Sequence, residues 1–291
     1  MFIRKIVLLF YIWTCGVWAL NLTLHDYHAP SASHILDAEI ADQTLIVTGM
    51  LGGIDFYDIS NPEELNHLRN FTLNNNGGSG NSKPTCIKTS GDYAYITAKN
   101  GVAVVDISNP SNPQYIRYLT NSNGYNLGNL DIYGTLLAVA AHEDGVLFYN
   151  ISNPENPSYY GRVDTNNAWT IALIDDKAYV GDQFNLLTLD TTDPSNAYIV
   201  NSFELTNAIK DIQFDNNTNF LYVALGTDGV AMVDIENQIM LSTCNTSGLA
   251  NRLALFDNKV VVSDWDDVEV LEWDGLELKT VGYKNTTRRT M

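Results

Sequence analysis

The line Gly101-Val102-Ala103-Val104-Val105-Asp106-Ile107-Ser108-Asn109-Pro110 decides the fold, because the chain writes versions of it six times. It recurs as GIDFYDISNP at 53–62 and GVLFYNISNP at 145–154. NLLTLDTTDP (185–194) and GVAMVDIENQ (229–238) are looser copies, and DVEVLEWDGL (267–276) keeps the alternation but loses the turn. The position of Asp58 returns at Asp106, Asn150, Asp190, Asp234 and Glu272, in steps of 48, 44, 40, 44 and 38 residues. A recurrence of about 43 residues marks a repeat architecture.

Each unit surrounds this line with three further short runs. In the second unit the four runs are Thr85–Thr89, Tyr93–Ala98, Val102–Asp106 and Gln114–Leu119. β-Branched and aromatic residues fill them, and Gly, Asn, Asp and Pro separate them, which is the pattern of strand and turn. No stretch after the first 19 residues carries a helical period. The expectation is an all-β, six-bladed β-propeller over residues 34–283, with four antiparallel strands per blade. A single blade cannot bury both its faces, so its neighbours must cover them. The repeated D-I-S-N-P reads as a turn, since Pro fixes φ and short polar side chains bond nearby backbone. A calcium role for the repeated Asp fits less well, because Asn150 interrupts the series and the spacing is not that of an EF-hand.

VVDISNPSNPQYI at 104–116 and FYNISNPENPSYY at 148–160, with similar lines at 56–62 and 232–237, resemble the LVIVD-repeat family. The resemblance spans most of the chain, strong in the first three units and weak in the sixth. It implies a secreted or cell-surface propeller and carries no catalytic residue with it.

Residues 1–19, MFIRKIVLLFYIWTCGVWA, place Arg4 and Lys5 before an apolar run and a small-residue site ending at Ala19. This is the pattern of a cleaved secretory signal peptide, with an uncleaved anchor as the alternative. Cleavage leaves 272 residues of formal charge −20, an arm over 20–33, the propeller, and a tail over 284–291. No later stretch is apolar for long enough to span a membrane. Acidic residues outnumber basic ones 34 to 16, so no electrostatic footprint for nucleic acid exists. Cys86 and Cys244 fall in different blades and at different depths, which argues against a disulfide.

Two regions are candidates for a site. Aligning the first strands places Asp37, Cys86, Asn129, Thr170, Asp211 and Arg252 in one column facing the central channel. Two residues further on, Glu39, Lys88, Asp131, Ala172, Gln213 and Ala254 share that face. The column between them, from Ala38 to Leu253, is apolar. The polar ring reads either as satisfied groups around channel water or as a ligand site. In the second reading Asp37, Asn129 and Asp211 would hold calcium through hard oxygens, with Arg252 opposing it. The second region is the loop face, where His142, Asp182, Asp264 and Trp265 lie in second-to-third-strand turns and Trp169 lies beside a blade connection. Aromatics among carboxylates suit a sugar or a cationic group.

None of His25, His28, His34, His67 and His142 sits in a recognised catalytic motif. Two functions follow. One is an extracytoplasmic binding module showing an acidic loop face to a protein or glycan partner. The other is a calcium-assisted hydrolase or lactonase centred in the channel, an analogy of fold alone.

Overall fold

The computed structural model describes residues 10–12, 22–24, 35–49, 53–61, 63–73, 83–98, 101–120, 127–265 and 267–285. Six four-stranded antiparallel sheets follow one another along the chain, each with its strands in sequence order. They form a ring, a six-bladed β-propeller, and the described residues contain no α-helix. The inner strands are Ile35–Ala41, Cys86–Ser90, Leu130–Tyr133, Ala168–Ile174, Asp211–Asp215 and Ala250–Phe256. In the second blade the strands run Cys86–Ser90, Tyr93–Ala98, Gly101–Asp106 and Gln114–Thr120, within a residue of the sequence reading. The last strand, Leu278–Asn285, carries the sixth blade two residues past the expected end at 283.

Ahead of the propeller, Phe10–Ile12 pairs with Leu22–Leu24. The rest of the leader and arm, Tyr125, Asp266 and most of the loop at 74–83 lie outside the described residues. No helix among the described residues is long and apolar enough to cross a membrane.

The recurring acid of the repeat is a turn former. Asp58, Asp106, Asn150, Asp190 and Asp234 each accept a hydrogen bond from the amide two residues on, at 2.8–2.9 Å. Short side-chain acceptors close such turns locally. Blade six departs from the sequence column: Glu272 pairs with Lys259 at 3.3 Å, and Asp274 takes over the turn through the Leu276 and Glu277 amides. Those amides and the Lys279 ammonium act on Asp274, with Lys279 the larger influence, and draw its carboxyl down to about 2.

Alternation along each strand gives every blade two apolar faces. Ile54, Phe56, Ile87, Ile96, Ala103 and Val105 pack between blades one and two, all fully buried. Comparable single clusters fill the next four interfaces. The seam between blades six and one is different among the described residues. Val268 and Val270 form one small cluster, and Leu45, Val47 and Tyr57 form another. Blade one also buries Asp55, which is held by His67 Nε2 at 3.0 Å and Asn70 Nδ2 at 2.9 Å. Cys86 lies on the inner strand of blade two and Cys244 on the outer strand of blade five, both as free thiols.

Candidate functional site

The inner strand of each blade is an edge strand, so one row of its backbone groups faces the channel without a ladder partner. The channel carboxylates serve those groups. Asp37 Oδ2 accepts from the Ile87 amide of the next blade at 2.9 Å. Asp131 Oδ2 accepts from Leu173 at 2.8 Å, and Asp211 Oδ2 accepts from Leu253 at 2.9 Å. Blades one, three and five are thus each stapled to their successor.

The remaining column residues also meet. Asn129 Nδ2 donates to Thr170 Oγ1 at 3.1 Å and to Asp211 Oδ1 at 3.4 Å. Arg252 Nη1 lies 3.8 Å from Asp211 Oδ1. Burial pushes the Asp211 carboxyl up, and Arg252 and the Leu253 amide work against that push. Cys86 Sγ faces the Leu130 carbonyl at 3.9 Å. Burial, reinforced by Asp37, holds its thiol well above the usual range, the opposite of what a nucleophilic thiolate requires. Lys88 Nζ sits 3.8 Å from Glu39. Burial would lower its pKa, and Glu39, Asp131 and Asp37 together raise it instead. Asn129 and Asp211 therefore come together as the calcium reading expects. Asp37, however, is committed to a backbone amide, and a cation at Asp211 would have to compete with the guanidinium of Arg252.

Around the channel mouth, blades three to five build a more open constellation. The register shifts between Ala168 and Thr170, so Trp169 stands at a bulge with 45% of its surface exposed. Its carbonyl accepts from the Asn129 amide of blade three at 2.9 Å. Gly128 allows that approach: a Cβ there would lie 2.2 Å from the Trp169 oxygen. The His142 ring meets the Trp169 ring edge-on at 4.9 Å, and Lys210 Nζ lies 5.8 Å from its centroid. His142 Nδ1 lies 3.0 Å from Asn167 Oδ1. Phe184, in the neighbouring turn, is also 45% exposed. Sequence reading named Trp169 and His142 but missed Lys210 and Phe184. Their only signal is their place beside strand ends.

The expected acidity of this face requires a correction. Asp182 is 1% exposed and Asp264 is wholly buried, because the connection between blades folds over each. Asp182 accepts from the Asn166 amide at 3.2 Å and from the Asn167 amide. Asp264 accepts from the Gly248 amide at 2.7 Å. These two acids clasp connections rather than present charge. Trp265, half-buried at φ 44°, occupies the turn beside Asp264.

Blade six adds two more buried acids at this point. Ligand oxygens of Asp264, Asp267 and Glu269 lie within 4.8 Å of one another. At about 4 Å, two like charges repel by roughly 4 kcal/mol at an effective dielectric of 20. Burial raises the Asp264 carboxyl first, and Glu269 adds to it. An acid whose folded pKa is raised contributes stability below its ordinary range and loses it as pH rises through the folded value. In buffer free of divalent cations, Asp264→Asn is therefore expected to match or exceed the wild type at pH 7. That advantage should shrink towards pH 4, as read from urea midpoints across the range. A difference independent of pH would contradict the assignment.

The LVIVD repeat model matches residues 83–120, 166–204 and 217–246. The chain carries LVIVD repeats. The matched segments fall on blades two, four and five, so blades one and three, whose DISNP and NISNP lines resemble the repeat by eye, lie outside them. Among solved structures, a functionally unknown protein from Desulfotomaculum acetoxidans DSM 771 is similar at TM-score 0.70 and 15% identity, with 86% of each chain covered. The computationally designed Ika8 protein is similar at TM-score 0.64 and 14% identity, over 88% of this chain and 76% of that one. At such identities the likeness concerns fold alone. No curated protein matches the chain.

Proposed function

We propose that this LVIVD-repeat chain is an extracytoplasmic binding module that presents the channel mouth of blades three to five to a protein or glycan partner. The observation that carries the reading is Trp169. It is a large exposed aromatic ring on a clamped inner strand, backed by His142 and approached by Lys210. Recognition surfaces place such rigid aromatic anchors at their centres, and an aromatic face beside an imidazole and a lysine ammonium suits a sugar ring as well as a peptide. The leader-like residues 1–19 support export. The channel groups are engaged with backbone amides and with each other, which favours the mouth over the channel as the place of recognition.

The test is a matched oligosaccharide and peptide array probed with labelled wild type, Trp169→Ala and Trp273→Phe. Signals above background that fall at least tenfold in Trp169→Ala and persist in Trp273→Phe are expected. Equal binding by wild type and Trp169→Ala would sink the reading.

A further inference from the structure

Given the Trp169 mouth as the recognition surface, a reading on which this depends, we infer that its ligand is a glycan bearing carboxylated sugars of the uronic-acid type, selected by Lys210. The residue just before each channel-column residue belongs to the rim. From blade one to blade six the rim reads Leu36, Thr85, Gly128, Trp169, Lys210 and Asn251. Trp169 and Lys210 are therefore neighbours on adjoining blades, and Lys210 is the one charged residue of the six. His142 of blade three and Gly226 of blade five hold equivalent places, each bridged to the inner strand of the next blade, at Ala168 and Ala250. His142 sets its ring against Trp169. Gly226 has no side chain, and the Lys210 stem passes over it, with Cε 3.7 Å from where a Cβ would stand. The imidazole thus reaches Trp169 from blade three and the ammonium reaches it from blade five.

Lys210 stands out by what it does not meet. Lys88, Arg162, Lys177, Arg252, Lys259 and Lys279 each lie 2.6–3.8 Å from a carboxylate oxygen. Among the described residues no carboxylate comes so close to Lys210, in a chain with 34 acids and 16 basic residues. The acids nearest in sequence or turn are turned elsewhere. Asp211 serves the Leu253 amide and Arg252 inside the channel. Asp228, in the Gly226 turn, accepts from Asn207 Nδ2 at 3.1 Å and from Thr227 Oγ1 at 3.3 Å. Lys210 Nζ instead lies 5.8 Å from the Trp169 centroid, near the outer limit of about 6 Å for a cation over a ring. A ring so distant takes none of the three N–H donors, and a charge-assisted bond to an incoming carboxylate is strong. A hexuronic acid supplies both complements within one residue: an apolar C–H face for Trp169 and a carboxylate for Lys210. A peptide strand is served less well, because strand addition needs unpaired backbone groups. Here the amides of Asn129, His142, Ala168 and Lys210 are already taken by carbonyls of the fold. The formal charge of −18 repels a polyanion charged at every unit, so carboxylates spaced among neutral sugars fit best.

The test compares two probes at pH 7 by calorimetric titration: a tetrasaccharide ending in one glucuronic acid, and the same tetrasaccharide with that carboxyl reduced to the alcohol. The readout is the ratio of their affinities in wild type, Lys210→Met, Lys210→Arg and the exposed-lysine control Lys177→Met. The wild type is expected to bind the acid at least tenfold more tightly than the alcohol. Lys210→Met should bring the ratio close to one, while Lys210→Arg and Lys177→Met keep the preference. The preference should also shrink as salt is raised. If Lys210→Met fails to fold, Lys210→Gln is read in its place. Equal affinity for the two probes in the wild type, a preference that survives in Lys210→Met, or no saturable binding of the acid overturns the inference. Trp169→Ala separates this from the reading of the mouth: sugar binding that depends on Trp169 but ignores the carboxyl overturns the ligand class alone, whereas binding indifferent to Trp169→Ala overturns both.

Discussion

Asp211→Ala is expected to lower the stability of the propeller by about 3–5 kcal/mol, the range for removing one partner of a buried charge pair. Three consequences combine. The Leu253 amide loses its acceptor across the interface between blades five and six. Arg252 keeps its charge and loses its nearest carboxylate. The Asn129 amide loses one of its two acceptors. Urea unfolding at pH 7 measures the sum. Asp211→Asn retains an oxygen for the Leu253 amide, so its loss should be smaller. The double change Asp211→Ala with Arg252→Met should recover part of the loss, because the stranded charge is removed with its partner. A loss below about 1 kcal/mol for Asp211→Ala, the scale of an exposed ion pair, would show that the channel groups are not structural.

The second large effect lies in the repeat motif itself. Gly145→Val is expected to cost about 3–5 kcal/mol, combining backbone strain with overpacking. Gly145 has φ 77°, and a Cβ there would stand 2.1 Å from the Val163 carbonyl oxygen. A β-branched residue tolerates neither condition. Gly134 separates the two causes, since it has φ 58° and nothing within 4 Å of a built Cβ. Gly134→Ala should therefore cost only about 1 kcal/mol, the price of the left-handed backbone alone. Equal losses at the two positions would show that the close approach to the fourth strand does not matter.

These two residues also show how far the sequence is legible. Gly145 opens the repeated line, as Gly53, Gly101 and Gly229 do, and the line counts the blades because each strand keeps its own alternation. The turn role of Asp58 and its equivalents was readable, since an Asx turn is closed within three residues. Its shift from Glu272 to Asp274 was not, because the last copy drops the Asn-Pro that fixes the register. The aligned inner strands put Asp211 in one column with Asn129, Thr170 and Arg252, and these side chains meet in the structure. Its partnership with the Leu253 amide depends on the gap between adjacent inner strands, which no single repeat specifies. Asp182 and Asp264 read as surface acids because turns usually are exposed. The blade connections cover them, and that depends on tertiary packing. Glu269 hid inside an apolar strand line, where one charge looks like an ordinary outward residue.

The central claim is that the inner carboxylates bind the backbone of the next blade, which leaves the mouth around Trp169 for recognition. Native-state hydrogen exchange of the Ile87, Leu173 and Leu253 amides tests it most directly. The account predicts slow exchange at all three in the wild type, with Asp37→Ala releasing Ile87 alone while the rest of blade two stays protected. Rapid exchange of these amides in the wild type, or protection indifferent to loss of the facing carboxylate, would contradict it.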